Sequence, residues 1–112
     1  MSELHGLQAE IDGFEAAGYQ VVAVSPDSVE ENQKVVRRLG LEYPILSDAD
    51  LAATRALGLV HEGASMERRD IPRPATFLVE DGVIRWRDLT ENWRVRIRAD
   101  DLLVEARRVA GL

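Results

Sequence analysis

Residues 74–86 read PATFLVEDGVIRW, in which two runs rich in β-branched and aromatic residues lie on either side of Asp81-Gly82. An Asp-Gly pair between two such runs is a strong local signal for a β-hairpin. This stretch therefore predicts an antiparallel hairpin with strands at 75–80 and 83–89, near the end of the chain.

The chain starts with a helical pattern that gives way to a strand pattern. Apolar residues recur at helical spacing and acidic residues lie off that face, which predicts a helix over residues 3–17 that ends at Gly18. The next run, YQVVAVS at 19–25, is apolar on both faces and rich in β-branched residues, which is typical of a buried parallel strand. The helical repeat consists of Leu4, Leu7, Ile11 and Phe14.

A second helix is predicted directly after this strand. Ser28 and Glu31 have the spacing of a capping box, in which the serine hydroxyl accepts a hydrogen bond from a backbone N–H of the first turn. We expect the helix that they open to end at Gly40.

A short strand and a third helix follow. The stretch LEYPILSD at 41–48 contains a brief strand pattern around 44–46. Ser47 or Asp48 can cap a helix over roughly 49–57, which Gly58 closes.

The remaining segments complete an α/β order. Residues 61–73 are polar, contain Gly and Pro and show no period, which predicts a surface loop. Asp100 is predicted to cap a final helix. The order helix, strand, helix, strand, helix, then hairpin and helix indicates a single domain over 1–112 with a parallel sheet flanked by helices. The core-facing residues of the final helix are Leu102, Leu103, Ala106 and Val109.

Composition excludes several kinds of chemistry. The 112 residues contain no cysteine, so they provide no disulfide, no thiolate metal site and no thiol nucleophile. His5 and His61 are too few and too far apart to predict a metal site, and no cofactor is predicted. No apolar run reaches membrane-spanning length and no signal-peptide pattern is present, so we predict a cytoplasmic protein without a membrane partner.

Charge is unevenly distributed along the chain. The formal net charge is −6, and acidic residues dominate 1–66 whereas the remainder is rich in arginine. The segment RWRDLTENWRVRIR at 85–98 combines five arginines with Trp86 and Trp93, a composition that suits an anion, a nucleic-acid strand or an acidic partner. A hairpin with arginines pointing outward explains it better because the chain as a whole is acidic, so no nucleic-acid partner is predicted.

Two stretches carry a resemblance to a known family. PATFLVEDGVIRW resembles the corresponding stretch of redoxins, the peroxiredoxin-like proteins grouped with alkyl hydroperoxide reductase and thiol-specific antioxidant, although Glu80 replaces the usual Asp and one residue fewer precedes Gly82. Residues 21–60 are similar to the middle of those proteins. The resemblance covers about 3–112 and implies a thioredoxin-like fold, thiol-dependent peroxidase activity and a thiol reductant as partner of the full-length protein.

The resemblance also assigns residues that flank the active site. Pro74 matches the proline that follows a cis peptide bond beside the active-site thiol, and Thr76 lies within the same motif. Arg73 lies one residue before the position of the arginine that polarises the peroxide. The local sequence leaves simpler alternatives open, namely a trans proline that ends a loop and a solvated loop arginine.

The thiol itself is the main departure from the family. Family members carry C-P-x-C-x-x-E-L at the start of a helix, where backbone N–H groups and the helix dipole lower the thiol pKa. Only the last two letters are present, as Glu3-Leu4, and the second cysteine position falls just before Met1. No catalytic residue is therefore assigned within the chain, which we expect to be inactive by itself, and the residues leave open whether it is an enzyme.

Other polar residues have structural explanations. His5 is expected on the surface of the first helix, and Asp48 and Asp50 are expected to be first-turn charges and not an acid/base pair. None of the serines has a nucleophile-elbow setting, and helix caps explain them better. These serines are Ser2, Ser25, Ser28, Ser47 and Ser65.

The family's strand before the first helix is also expected to be absent, which makes the domain incomplete. That strand would lie between strand 19–25 and the hairpin, so two edges would face a gap. We expect the chain to self-associate, to swap elements, or to move strand 19–25 beside the hairpin. Two interpretations remain: part of a redoxin with an upstream thiol or selenocysteine, or a cysteine-free scaffold for binding or assembly. The gap would be lined by Val22, Val24, Phe77 and Val79.

Overall fold

The computed structural model describes residues 3–63, 70–89 and 97–112. Within these ranges it contains five helices and six strands, in an order that matches the predicted α/β pattern apart from a first helix divided in two and one added strand pair. The elements are α1 (Glu3–Ala9), α2 (Ile11–Ala16), β1 (Ala23–Ser25), α3 (Val29–Leu39), β2 (Ile45–Ser47), α4 (Ala52–Ala56), β3 (Val60–His61), β4 (Ile71–Pro72), β5 (Ala75–Glu80), β6 (Val83–Leu89) and α5 (Ala99–Val109).

The predicted first helix is interrupted at Glu10. Its backbone N–H donates to Leu7 O, three residues back instead of four, and its φ and ψ angles of −104° and 11° depart from helical values. The apolar periodicity continues across this break, which is why the sequence pattern predicted one helix. As predicted, the helical segment ends at Gly18, which has a φ of 87°, and Tyr19 N–H closes the last turn on Phe14 O.

Strand β1 is shorter than predicted. It covers residues 23–25 of the predicted 19–25 because it pairs only with β2, which is itself three residues long. The pairing is parallel as predicted, and it joins Val24 to Leu46 in register. Strand β2 lies one residue later than predicted, at 45–47.

Helix α3 confirms the predicted signals at both ends. The Ser28 hydroxyl accepts a hydrogen bond from Glu31 N–H at 3.2 Å. Gly40 adopts the left-handed conformation with a φ of 64°, and Leu41 N–H closes the last turn on Val36 O. Both signals are local, so sequence alone was enough to predict them.

Helix α4 begins three residues later than predicted. Leu51 has a φ of 60°, a left-handed conformation that cannot continue a right-handed helix, so the helix starts at Ala52. The Asp48 carboxylate still binds the first turn, accepting hydrogen bonds from Ala53 N–H at 3.0 Å and Thr54 N–H at 2.8 Å.

The hairpin has the predicted boundaries. Strands β5 and β6 are antiparallel, and Asp81 and Gly82 form a two-residue turn with φ angles of 51° and 78°. Two positive φ angles define the type I′ turn that matches strand twist. A bulge interrupts the register after Leu78, so that Val79 lies opposite Ile84.

The predicted loop at 61–73 is partly wrong. Its described ends form the antiparallel pair β3–β4, in which Val60 lies opposite Pro72. Two residues on each side carry no periodicity that a sequence pattern can detect, which is why the pair was missed. Residues 64–69 of the predicted loop lie outside the described ranges.

Asp100 is not the cap of the last helix. Helix α5 starts at Ala99, so Asp100 lies within the first turn, and Arg98 occupies the cap position without a side-chain cap bond. The Asp100 carboxylate instead accepts hydrogen bonds from Asp101 N–H at 2.9 Å and from the Arg98 guanidinium at 3.2 Å. The helix dipole favours an acidic residue in the first turn as well as at the cap position, so the acidic residue did not distinguish the two. The predicted cap therefore lies two residues after the observed one.

Two hydrophobic clusters form the core. The first joins α2, β5 and α5, and the second joins α2 to the segment before β2. Leu7 and Val21 contact both clusters, which makes the core continuous. The buried members are Phe14, Leu78, Leu102, Leu103 and Ala106 in the first cluster, and Ile11, Leu41 and Tyr43 in the second.

The strands of the described residues form three separate two-stranded sheets. Strand β1 is bonded to β2 and strand β5 to β6, with no ladder between the two pairs. The expectation that strand 19–25 moves beside the hairpin is therefore wrong. The parallel pairing with β2 and the contacts of Ala23 and Ile45 with the second cluster hold β1 in place.

Candidate functional site

Three predicted site residues lie at the start of β5. Arg73 and Pro74 directly precede the strand, and Arg73 N–H donates to Leu59 O at 2.6 Å, next to the β3–β4 pair. Thr76 lies opposite Asp88 in the hairpin, and strand alternation places its side chain on the same face as buried Leu78. Thr76 is thus directed toward the helix side of the hairpin, and Arg73 lies two residues before the first residue of β5.

The peptide bond before Pro74 is trans, since no cis bond occurs among the described residues. The cis bond implied by the resemblance is therefore wrong for this structure. Trans is the lower-energy isomer of an X-Pro bond by about 0.5–1 kcal/mol, so cis persists only where neighbouring groups select it. Here the backbone before Pro74 is fixed by the bond from Arg73 N–H to Leu59 O, and the trans isomer satisfies it.

The first turn of α1 is held by the segment before β2. The Tyr43 hydroxyl donates a 2.6 Å hydrogen bond to Leu4 O, and its side chain is only 4% exposed. Gln8 strengthens this link, because its amide group donates to Glu42 Oε1 at 3.1 Å and accepts from Glu42 N–H at 2.7 Å. Helix α1 thus begins at Glu3-Leu4 with its N-terminal end fixed by residues nearly 40 positions away.

Burial changes the acidity of Tyr43. Desolvation raises the pKa of its phenol from 10.0 to about 12, and the negative charge of Glu3 contributes in the same direction. The phenol is therefore a neutral hydrogen-bond donor throughout the physiological range. The sequence analysis did not identify this residue, because nothing local to Tyr43 indicates that it reaches α1.

The serines that end β1 and β2 belong to a polar network. The Ser25 hydroxyl donates to Asn32 Oδ1 at 2.7 Å and accepts from Asp27 N–H at 3.1 Å. The Ser47 hydroxyl donates to Asp27 O at 2.6 Å. The predicted cap role is confirmed for Ser28 alone. Ser25 and Ser47 cap no helix, since Leu51 holds the cap position of α4, and their hydroxyls bond Asn32 and the Asp27 backbone instead.

Ser2 and Ser65, the other two serines considered in the sequence analysis, lie outside the described residues.

The amide nitrogen of Asn32, whose oxygen accepts the bond from Ser25, is buried without a hydrogen-bond partner among the described residues. Local spacing gave no sign of this network, although Ser25 and Ser47 are register partners at the ends of adjacent parallel strands.

Asp48 and Asp50 differ in their surroundings. Asp48 is buried and its pKa is lowered, first by the hydrogen bond from the Thr54 hydroxyl at 2.6 Å and next by the bond from Ala53 N–H. Asp50 is exposed and accepts a bond from Ala52 N–H at 3.1 Å. Both carboxylates bind the start of α4, as the sequence predicted, and neither is arranged as a general acid.

The remaining candidates are surface residues. His5 is exposed on α1. On the hairpin, Arg85 and Arg87 are exposed while Trp86 packs against the first core cluster, which confirms the alternation expected there. The rest of the arginine-rich segment, including Trp93, lies in 90–96 outside the described ranges. Among the described residues, no group of three or more His, Cys, Asp or Glu side chains is arranged to hold a metal ion, and no helix is long and apolar enough to cross a membrane.

Solved structures with a similar fold are peroxiredoxins. Reduced Prx3 of Vibrio vulnificus in complex with H₂O₂ matches with a TM-score of 0.82 at 20% identity, covering 92% of this chain and 66% of that one. The bacterioferritin comigratory protein of Xanthomonas campestris matches at 0.83 and 25% identity, covering 96% and 69%. Peroxidoxin BcpB of Mycobacterium tuberculosis matches at 0.77 and 19% identity, covering 97% and 67%. The fold is therefore the thioredoxin-like α/β fold of peroxiredoxins, and the chain spans about two thirds of their length.

Sequence comparison agrees with the fold. The AhpC/TSA family model matches residues 1–87, more than three quarters of the chain. The chain belongs to the AhpC/TSA family. Among curated proteins no sequence matches significantly.

Proposed function

We propose that this chain provides the scaffold of a thiol-dependent peroxidase whose reactive thiol or selenol belongs to a segment upstream of residue 1. The observation that carries the proposal is the first turn of α1, where Glu3-Leu4 correspond to the end of the family's C-P-x-C-x-x-E-L motif. Tyr43 fixes this turn through Leu4 O. The next residue toward the N-terminus beyond Met1 would carry the family's second cysteine.

Hydrogen peroxide or an alkyl peroxide is the proposed substrate class. The similar Vibrio protein is described in complex with H₂O₂, and the Xanthomonas protein is described with alkyl peroxide reduction activity. A thiolate that attacks the peroxide becomes a sulfenic acid, while the O–O bond breaks to release water or an alcohol. A thiol reductant is the proposed partner because it must restore the thiol.

The 112 residues alone are proposed to be inactive in this reaction. They contain no cysteine, so no sulfur nucleophile is present to accept the peroxide oxygen. In the complete protein, we assign Pro74 and Thr76 to the wall beside the thiol and Arg73 to polarisation of the peroxide. Arg73 is half-buried next to β5, which suits a cation that faces a partly desolvated substrate.

The test compares the 112-residue chain with a version that includes the in-frame codons upstream of Met1. Peroxide consumption in the presence of a dithiol is expected only for the longer protein, and Arg73→Lys in it should lower kcat/KM for peroxide. An upstream sequence with neither a strand pattern nor C-P-x-C or its selenocysteine counterpart would refute the proposal. Peroxidase activity of the 112-residue chain itself would refute the assignment of the reactive thiol to a segment upstream of residue 1.

A second candidate is a non-catalytic scaffold that self-associates. The observation that favours it is the separation of β1–β2 from β5–β6, which leaves apolar strand residues exposed in the described part of the chain. Sedimentation velocity of the 112-residue chain tests this candidate, and a stable monomer would exclude it. A cytoplasmic location remains a prediction, which fractionation of producing cells can check.

A further inference from the structure

Three hydrogen bonds join one side of α1 to the segment before β2. The Tyr43 hydroxyl donates to Leu4 O at 2.6 Å, and one turn further along the helix the Gln8 amide makes two bonds with Glu42. Leu4 and Gln8 have the i, i+4 spacing of neighbours on one side of a helix. We call these contacts the α1 clamp; it consists of Leu4, Gln8, Glu42 and Tyr43.

The α1 clamp adds directional contacts to apolar packing. Leu4 and Leu7 pack against the second core cluster, and on the opposite side a Cβ added at Gly6 would lie 3.6 Å from Ala99 Cβ of α5. Apolar burial is non-directional, whereas a hydrogen bond restricts both the distance and the angle between its groups. The α1 clamp therefore fixes the direction of the helix axis relative to residues 42–43 and to β2, which follows them directly in the chain.

The reactive group of the proposed peroxidase would lie far enough from the α1 clamp for small rotations to matter. In the C-P-x-C-x-x-E-L motif that Glu3-Leu4 complete, the first cysteine precedes the leucine by seven residues, which is about 10 Å along an α-helix. Over that length a rotation of about 5° about Leu4 shifts the reactive atom by about 1 Å, a misplacement that costs on the order of 100-fold in rate. The direction of α1 thus bears directly on the rate of peroxide reduction.

We propose that Tyr43, together with Gln8 and Glu42, positions the reactive thiol or selenol relative to Arg73 and Thr76. The inference rests on the proposed function and adds positioning residues that act through α1. The N–H groups and the helix dipole that lower the thiol pKa belong to the helix itself and turn with it, whereas Arg73 and Thr76 belong to another part of the fold. A rotated α1 therefore keeps the thiol pKa and changes the geometry of attack on the O–O bond.

The test uses the longer protein that includes the upstream codons, with Tyr43→Phe as the decisive variant and Tyr19→Phe as its matched control. Two second-order rate constants are measured for each protein, one for reaction with hydrogen peroxide and one for alkylation by iodoacetamide, which reports thiolate reactivity. Tyr43→Phe removes one of the three clamp bonds and should lower the peroxide constant about 10-fold while the alkylation constant stays unchanged. Tyr19→Phe should change neither constant.

Gln8→Leu provides a second variant, because it removes the other two clamp bonds and should cause the same selective loss. It replaces Tyr43→Phe if circular dichroism shows that Tyr43→Phe does not fold. An unchanged peroxide constant in the clamp variants, or an equal fall of both constants, overturns the positioning role and leaves the proposed function intact. A longer wild-type protein that does not consume peroxide overturns the proposed function and this inference with it, so the two failures are distinguishable.

Discussion

Tyr43→Phe tests how the first turn of α1 is held in place. The substitution keeps the buried ring and removes only the hydroxyl, which donates a 2.6 Å hydrogen bond to Leu4 O. Because Leu4 lies inside α1, its carbonyl retains its acceptor role within the helix, and no group is left fully unsatisfied. The expected loss of unfolding free energy is therefore that of one net hydrogen bond, about 0.5–1.5 kcal/mol.

Urea unfolding followed by circular dichroism measures this loss. A loss of about 1 kcal/mol in unfolding free energy should also lower the melting temperature of a domain of this size by roughly 4–6 °C. The m-value of the urea transition should stay unchanged. Tyr19→Phe is the matched control, because Tyr19 is half-buried and its hydroxyl makes no hydrogen bond among the described residues. Equal losses for the two variants would refute the assigned bond.

Alkaline pH tests the burial of the Tyr43 phenol, which is the main cause of its raised pKa. The pKa of Tyr43 is raised from 10.0 to about 12, so the folded state favours the neutral phenol. The stability that results is fully present below pH 10 and is lost as pH rises toward 12, because the unfolded chain ionises first. The stability difference between wild type and Tyr43→Phe should therefore shrink over this window. A constant difference up to pH 12 would contradict the raised pKa.

Two further predictions use pairs of similar residues in different surroundings. Asp48→Asn should reduce the free energy of unfolding in urea more than Asp50→Asn, because only the Asp48 carboxylate is buried with three hydrogen bonds. The lowered pKa of Asp48 stabilises the folded state above the pKa of an unfolded aspartate, about 4, so this difference should decline as pH falls below that value. Equal effects of the two substitutions at pH 7 would contradict the structural role of Asp48. Gly6→Ala should raise the unfolding free energy by about 0.5–1 kcal/mol through helix propensity. Gly13→Ala should lower it by about 1 kcal/mol, because overpacking against Leu103 outweighs the same gain; the new Cβ would lie 2.6 Å from Leu103 Cδ2, and a stabilised Gly13→Ala protein would show that Leu103 moves freely.

The parts of the fold that the sequence predicted correctly depend on local signals. The hairpin follows from Asp81-Gly82, whose positive φ angles are needed by the turn itself. Helix α3 follows from Ser28 at one end and Gly40 at the other. The family motif around Pro74 is local as well, so the family could be recognised before the fold was known.

The errors arose where contacts distant in sequence determine the local structure. The predicted first helix is interrupted at Glu10 although the apolar period continues, and β1 is limited by the length of its partner β2. The isomer before Pro74 depends on surrounding groups, and here the backbone is bonded to Leu59 O. None of these features has a signature within a short window of sequence.

The same division applies to the candidate site. By itself the sequence determined the absence of a sulfur nucleophile, the hairpin and the helix caps, because composition and turn chemistry are properties of single residues and their neighbours. Tertiary structure alone decided that Tyr43 bonds to Leu4 O, that Asp48 is buried against Thr54, and that the apolar side chains of Val24 and Leu46 are exposed. Those features depend on which elements pack together, and packing is a property of the whole chain.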